Sequence, residues 1–509
     1  MSEMNMPLGV AALLLVFGFA VTYAAIPPAQ KWGRRWGLVA PPGGRRHHPQ
    51  DTPLTGGWAL FLPLMAAFFA FFGLVLTGKL SMLRPEWPRM LSLFLGTTWI
   101  LILGTIDDRL MLGWRQKLGG QFLGGLILVL GGHTVAVANI PWLGTVHFGW
   151  FGIPFLLIAV ITITNAINLI DGLDGLAGGI CFFAALTSAV IASVKGDFFT
   201  ATLGFTLAGG LLGFLRFNFP PASIFLGDGG SMMLGFLLGT LAISSTAFFP
   251  GQRLGTSIMI LVPFLPLGIP LFEVALSVLR RWLTGQALFL GDGNHLHHRL
   301  LGKIKAARPT VEIFYFFSAS LCALTLLMVL EVQSPVLRFF TGFLTLVLML
   351  AVTWSLQLYG ERGLFLTLRH RPHFKFLGEF LRFMKLRIGR GRSAADLLAL
   401  LESGVRDLEF DHIEIVYQGQ VFKKWTNPQP VHADSPRLTA AESLAAWDLQ
   451  IKWTCPLHGD EDYNEYLQLT WHRLLNAIKA ALPPQDPGLG ESPAGGEGPG
   501  PAAQAARLR

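Results

Sequence analysis

Charge is what this chain has least of. Only 14% of its 509 residues are Asp, Glu, Lys or Arg, against about a quarter in a soluble protein, while 52% are hydrophobic. That shortage excludes an ordinary water-soluble fold: a bilayer span needs about 20 mostly apolar residues, and such runs recur throughout. Cysteine is scarcer still. Cys181 and Cys322 fall in apolar runs and Cys455 in the polar C-terminal part, so neither a disulfide framework nor a CxxC metal pattern exists. No GxxxxGK(S/T) phosphate loop occurs, which disfavours an ATP-driven pump. The N-terminal stretch MPLGVAALLLVFGFAVTYAAIPP has no basic flank and no small-residue cleavage site, so it reads as a retained first span rather than a signal peptide. Short-period repeats and heptads are missing too.

What is present is a series of apolar runs. About eleven candidate spans centre on residues 6–26, 57–77, 90–106, 118–138, 150–170, 175–194, 200–216, 232–250, 257–279, 311–331 and 335–359. The expected fold class is an all-α polytopic membrane protein with a small cytoplasmic α+β C-terminal domain. One set of connecting segments, up to residue 393, holds about two dozen Lys and Arg and the other about five; the positive-inside rule puts the basic set in the cytoplasm. The amino end then lies outside and the carboxyl end inside. The net charge of +8 is accounted for by basic loops beside anionic lipid, with no nucleic acid implied. Four regions follow: a polytopic domain over 1–360, a basic amphipathic interfacial segment over 361–393 (a plain basic linker is the alternative), a small soluble domain over 394–482 and a disordered Pro/Gly/Ala-rich tail over 483–509. In the soluble part, SAADLLALLESGV and EYLQLTWHRLLNAIKAAL have helical spacing, whereas HIEIVYQGQVFKKW and WDLQIKWTC alternate like strands.

The polar residues of the apolar region gather on the basic side. NAINLIDGLDGLAGG carries Asp171 and Asp174 with Asn165 and Asn168 a turn earlier. The three-residue separation puts both acids on one helical face, and Gly172 and Gly175 permit close backbone approach. Intramembrane acids usually face a cavity or mark function; a short solvated loop is the alternative. GTIDDR places Asp107 and Asp108 side by side, with Lys117 following, and two adjacent carboxylates repel unless a cation or shared proton intervenes. FLGDGGS frames Asp228 with glycines that give phosphate oxygens access to the backbone, and Mg²⁺ commonly joins a carboxylate to substrate phosphates; Phe225 precedes it and could stack on a planar base. LGDGNHLHHRLLGK crowds His295, His297 and His298 behind Asp292. Such a cluster could bind zinc, but no cysteine joins it, and contacts to anionic and sugar oxygens are favoured. Arg46 and His48 lie in a basic loop that serves equally as a positive-inside anchor. Acids for a divalent cation, cations for phosphates and glycines for access are the chemistry of phosphoryl transfer. The membrane setting points to a lipid substrate.

NAINLIDGLDGLAGG, GTIDDR, FLGDGGS and HLHHRLL, in this order, resemble the polyprenyl-phosphate N-acetylhexosamine-1-phosphate transferases, glycosyltransferase family 4, over roughly residues 1–360. The HLHH form is similar to the bacterial undecaprenyl-phosphate N-acetylglucosaminyl-1-phosphate transferase branch that starts O-antigen, enterobacterial common antigen and teichoic acid linkage; the peptidoglycan branch has a His-His-x-Glu pattern there. The resemblance implies transfer of a sugar-1-phosphate from a UDP-N-acetylhexosamine to undecaprenyl phosphate, with UMP leaving and Mg²⁺ or Mn²⁺ required. It implies Asp107 and Asp108 as the catalytic pair, with Asp107 as base or phosphate positioner, and Asp228 as the metal ligand. Asn165, Asn168, Asp171, Asp174, Phe225, Asp292, His295, His297 and His298 would bind the nucleotide sugar, and Lys117, Arg46 and His48 the lipid phosphate. Related proteins have Asp where Ala40 stands. The implied setting is the bacterial inner membrane with the active site facing the cytoplasm. The resemblance is compatible with a homodimer, and residues 394–482 could dock a pathway glycosyltransferase. Competing readings are a secondary transporter using the acids as ion sites and a catalytically silent scaffold.

Overall fold

The computed structural model describes residues 6–40, 51–79, 86–135, 137–140, 144–247, 262–284 and 295–330, and, between 340 and 477, four strands and isolated helical positions. The chain divides into two units, residues 1–278 with 291–356 and residues 279–290 with 357–509.

In the first unit apolar runs become helices because a lipid-facing backbone must satisfy its own N–H and C=O groups. Helix α1 (Leu8–Arg35) leads to a minimal ribbon of β1 (Val39–Ala40) and β2 (Thr52–Pro53). There follow α2 (Gly56–Leu76), α3 (Trp87–Leu110) and α4 (Trp114–Leu130), then a hairpin of β3 (Val137–Ile140) and β4 (Gly144–His147). Helices α5 (Gly152–Ile170), α6 (Leu176–Val194), α7 (Phe198–Asn218) and α8 (Gly227–Ala247) come next. The series ends with α9 (Gly268–Thr284), the short α10 (Leu296–Ile304) and α11 (Ala307–Leu330). Among the described residues seven helices are long and apolar enough to cross a membrane, which makes this a multi-pass membrane protein. Expected spans at 118–138 and 257–279 correspond to the 17-residue α4 and to a 3₁₀ turn at Val262–Leu267 running into the 17-residue α9. The span expected at 335–359 lies almost wholly outside the described residues.

Helix α8 is the axis. Leu226, Met232, Met233, Leu234, Phe236 and Leu241 are all buried, and α2, α3, α5 and α6 pack around it. Small residues let backbones meet, as membrane helix packing requires. The largest such seam joins α1 to α7 through Gly209 and Gly213, a GxxxG pair. A Cβ on Gly209 would stand 2.0 Å from Leu15 O, so Gly209→Ala should cost ~1–3 kcal/mol by overpacking. The check is the melting midpoint of the lipid-reconstituted protein, and an unchanged midpoint would refute the seam.

The second unit contains an antiparallel sheet of β5 (His412–Tyr417), β6 (Gln420–Thr426), β7 (Arg437–Leu444) and β8 (Leu449–Pro456), in the order β6-β5-β8-β7. Ile451 and Trp453 are buried, and Trp453 meets Trp471 edge-on at 6.2 Å. The opposite face is polar, with Lys452 Nζ 3.6 Å from Glu414. The alternation at 412–425 and 447–455 coincides with β5, β6 and β8. β7 escaped sequence reading because RLTAAESL has helix-forming composition. The helix expected at SAADLLALLESGV and the tail from Pro483 lie outside the described residues, as does most of 361–393.

Candidate active site

Three tight connections end at the same pole of the bundle. Helix α3 stops at Met111, whose φ of 48° is left-handed, and α4 restarts at Trp114 with Gln116 Oε1 accepting the Gly113 N–H at 2.9 Å. This corner brings Lys117 back over the end of α3. There its ammonium bridges Asp107 Oδ2 and Asp228 Oδ2, the latter at 2.8 Å. Asp107 is buried, and its Oδ1 accepts the Leu112 N–H at 2.7 Å. Asp228 keeps 36% of its side chain exposed, and its Oδ1 accepts from Asn168 Nδ2 at 3.0 Å. Asn168 also donates to Ser231 Oγ at 2.9 Å.

Asp108 faces elsewhere. Its Oδ1 accepts the Asp228 N–H at 2.8 Å and its Oδ2 the Gly229 N–H at 3.2 Å. These are orphan donors of the first turn of α8, where negative charge is favoured. The glycines of FLGDGGS serve this packing. A Cβ on Gly227, at φ +72°, would meet Asp108 Oδ2 at 2.6 Å; one on Gly229 would meet Thr105, and one on Gly230 would meet Gly57 Cα at 2.7 Å. Helix α8 can sit against α2 and α3 with its N-terminus on Asp108 only because those positions carry no side chain.

Asp171 and Asp174 do not share a helical face, because α5 ends at Ile170 and α6 begins at Leu176. The acids occupy the turn between. Asp171 is half-buried. Asp174 is buried and its Oδ2 accepts the Ala222 N–H at 3.0 Å, fastening the turn to the loop that leads into α8. Gly175, at φ +77°, is held on both sides: its N–H donates to Asn218 Oδ1 at 2.9 Å and its O accepts from Tyr315 at 2.7 Å. Asp174→Ala should therefore lower the melting midpoint, since it strips the partner from a buried N–H at a cost of about 1–3 kcal/mol. Asp174→Asn, which keeps an acceptor oxygen, should lower it less; equal losses would refute the staple. Asn165 pairs its amide with Gln121, donating to Oε1 at 2.7 Å and accepting at 3.2 Å. Phe225 is 1% exposed, a core residue beside α2 rather than an open platform for a base.

The histidines open α10. His295 is its N-cap, and the ring centroids of His297 lie 5.6 Å from His295 and 4.3 Å from His298. His297 is buried against Gly172, where a Cβ would fall 2.5 Å from its Nε2. The His motif and the DGLDG turn are thus one assembly. Glu273 of α9 joins it: its Oε1 accepts the Leu296 N–H at 2.7 Å and lies 3.2 Å from His295 Nδ1. Arg46, His48 and Asp292 lie outside the described residues.

Among the described residues no group of three or more His, Cys, Asp and Glu is arranged to hold a metal. The acid pair still suits a hard divalent ion. Asp107 and Asp228 already hold one cation between them, the Lys117 ammonium, and Mg²⁺ takes one or two carboxylates, completing its shell with water and phosphate oxygens. Sequence reasoning missed Gln121, Asn218, Ser231, Glu273 and Tyr315. For Gln121 and Glu273 a signal existed, a polar side chain within an apolar helix, the same sign that marked Asp171.

A family model described as glycosyl transferase family 4 matches residues 90–246, a stretch that contains Asp107, Asp108, Lys117 and Asp228. The chain is 29% identical over 368 residues to a probable undecaprenyl-phosphate N-acetylglucosaminyl 1-phosphate transferase of Bacillus subtilis, covering 71% of this chain and 96% of that protein. It is 32% identical over 333 residues to a decaprenyl-phosphate N-acetylglucosaminephosphotransferase of Mycobacterium tuberculosis, covering 62% and 81%. A phospho-N-acetylmuramoyl-pentapeptide-transferase of Moorella thermoacetica is 35% identical over 342 residues, covering 62% and 98%.

Proposed function

The chain belongs to glycosyl transferase family 4 and is a membrane-embedded polyprenyl-phosphate sugar-1-phosphate transferase; on that premise we propose that it moves N-acetylglucosamine-1-phosphate from UDP-N-acetylglucosamine to undecaprenyl phosphate, releasing UMP. The donor assignment is supported by the names of two relatives and by the HLHH form of the His motif. The step would start a cell-envelope polysaccharide at the cytoplasmic face of a bacterial inner membrane; the basic loops on the site's side support that orientation.

The observation that carries the mechanism is the bridge from Lys117 to Asp107 and Asp228. An oxygen of the lipid phosphate attacks the sugar-proximal phosphorus of the donor. The bond from that phosphorus to the bridging oxygen breaks and its electrons leave on UMP. One phosphoanhydride replaces another, so the reaction is readily reversible. A phosphate monoester has its second pKa at about 6, so the acceptor is already largely ionised and needs no dedicated base. Asp107, buried and paired with Lys117, acts as a positioner that aims the ammonium at phosphate oxygens. Asp108 positions Asp228 through the backbone of α8. Asp228, with its exposed face, would hold Mg²⁺ or Mn²⁺, which supplies neutralisation of the diphosphate charge. Asp171, with the turn that Asp174 fastens, and the imidazoles of α10 form the wall for the nucleotide sugar.

The test is UMP release by purified full-length protein supplied with Mg²⁺, undecaprenyl phosphate and a panel of UDP-sugars. Release only with UDP-N-acetylglucosamine and the lipid is the expected result. Release with UDP-N-acetylmuramoyl-pentapeptide instead would overturn the donor assignment, and ion-coupled substrate uptake without lipid turnover would favour a transporter. Wild-type turnover at limiting UDP-sugar in both Asp171→Asn and Asp174→Asn would remove that turn from the donor site.

A further inference from the structure

Glu273 is an acid within an apolar helix, in the run IPLFEVALSV, and no step above uses it. Its side chain is 4% exposed, as is fitting for a group whose Oε1 takes the Leu296 N–H at 2.7 Å and sits 3.2 Å from His295 Nδ1. Leu296 is the first residue of α10, and its N–H is one of the donors that a helix start leaves without an intrahelical partner. A helix ordinarily meets that need locally, with Ser, Thr, Asp or Asn at the N-cap. Here the N-cap is His295, whose side chain makes no capping bond. The acceptor comes instead from α9, where a buried carboxylate is expensive in a membrane protein. An Asp at position 295 would cap α10 at lower cost, so the arrangement makes sense only if the imidazole at 295 is needed and must itself be held. His295 Nδ1 stands 3.2 Å from the Glu273 carboxylate without the alignment of a hydrogen bond; a carboxylate beside one ring nitrogen still biases a histidine's tautomer and ring plane electrostatically, leaving the other nitrogen for a ligand.

We propose that Glu273 is a positioning residue of the transfer reaction: it fixes the His295 ring and the start of α10 together, and so aims the three imidazoles at the sugar-diphosphate part of the donor. The inference rests on the transferase reading above. Glu273 touches no substrate; it acts through His295 and through His297, which lies against the Gly172 turn.

The experiment uses the full chain in lipid nanodiscs, comparing wild type, Glu273→Ala, Glu273→Gln, His295→Ala and the Glu273→Ala/His295→Ala double variant. Kinetics with UDP-N-acetylglucosamine are read beside melting midpoints and the ring-nitrogen NMR signals of ¹⁵N-histidine. Glu273→Ala should lower kcat/KM by about 10–100-fold, the usual loss for a residue that orients a functional histidine. The double variant should fall no further than His295→Ala, because the two act as one unit. Glu273→Gln, whose amide oxygen can still accept the Leu296 N–H, should recover most of the loss. The His295 ring signals should move in Glu273→Ala while those of His412, in the other unit, stay fixed. Multiplicative losses in the double variant, or unmoved His295 signals, would overturn the proposal. If Glu273→Ala does not fold, Glu273→Gln decides by the same ring signals, since His295 then faces a neutral partner. A wild type that turns over no UDP-sugar would sink the donor reading, and the ring signals would still report whether Glu273 holds His295.

Discussion

Asp228→Ala is expected to lower UMP release on the order of 1,000-fold, the upper range for removing one charge-stabilising group from an enzyme site, while leaving the protein folded. The fold survives because α8 keeps other anchors: the Asp228 side chain's bonds to Lys117 and Asn168 are lost, but Asn168 still donates to Ser231. Asp108 holds the N–H groups of residues 228 and 229, and alanine retains both. Lys117 keeps Asp107 as its partner. The loss should appear in kcat, since the group is needed where phosphate charge is redistributed. Chelation of divalent ions from the wild type should mimic that loss, yet barely move the melting midpoint, because the Lys117 ammonium compensates Asp107 and Asp228 when no other cation does. Retention of more than a tenth of wild-type turnover in Asp228→Ala, measured on protein with an unchanged midpoint, would take Asp228 out of the catalytic machinery.

Lys117→Met is expected to damage both folding and turnover. It leaves Asp107, only 2% exposed at its side chain, facing Asp228 with no counter-charge. Breaking a fully buried ion pair costs more than breaking a surface one; because Lys117 is 25% and Asp228 36% exposed, the expected loss is discounted to roughly 2 kcal/mol. Turnover should fall by about 100-fold through loss of a phosphate-directed charge. The informative part is ionic: Mg²⁺ should raise the melting midpoint of Lys117→Met more than that of the wild type, since the emptied position between two carboxylates favours a divalent ion and binding to the folded state adds stability by mass action. Equal Mg²⁺ responses would show that the two acids do not share a cation position. Lys117→Arg should restore folding better than turnover, because a planar fork can span two carboxylates but does not place charge as a compact ammonium does.

The spans and the chemistry of the site were legible for different reasons. Apolar runs long enough to cross a bilayer leave the backbone no option but helix, so α2, α3, α5, α6 and α7 fall close to their expected bounds, while α1 starts near its expected residue but runs on to Arg35, nine residues past the expected end. The acidic motifs stood out because carboxylates are costly in apolar surroundings. What failed was local geometry. Spacing alone put Asp171 and Asp174 on one face of a helix, whereas the glycine-rich run breaks into a turn at Gly175, whose φ of +77° no ordinary residue adopts easily. Phe225 looked like a platform and is core; the reason lies in α2, whose Gly56 N–H donates to Phe225 O at 2.9 Å and draws that segment inward.

Sequence by itself determined that this is a multi-pass helical membrane protein, it predicted one side for the unusual acids, imidazoles and cations, and its motifs, read in order, are those of a lipid-linked sugar-phosphate transferase. These follow from composition, parity and motif order, which are properties of the chain as a line. Only tertiary structure decided which residues share a task. Lys117 and Asp228 are 111 positions apart, Asp108 and Asp228 120, and Leu296 and Glu273 23, and no periodicity relates them. Their pairing depends on helices brought close enough by Gly57, Gly104, Gly229 and Gly230 that a single missing Cβ decides whether a carboxylate reaches its partner. Close approach is a property of two surfaces at once, and one strand of sequence carries only half of it.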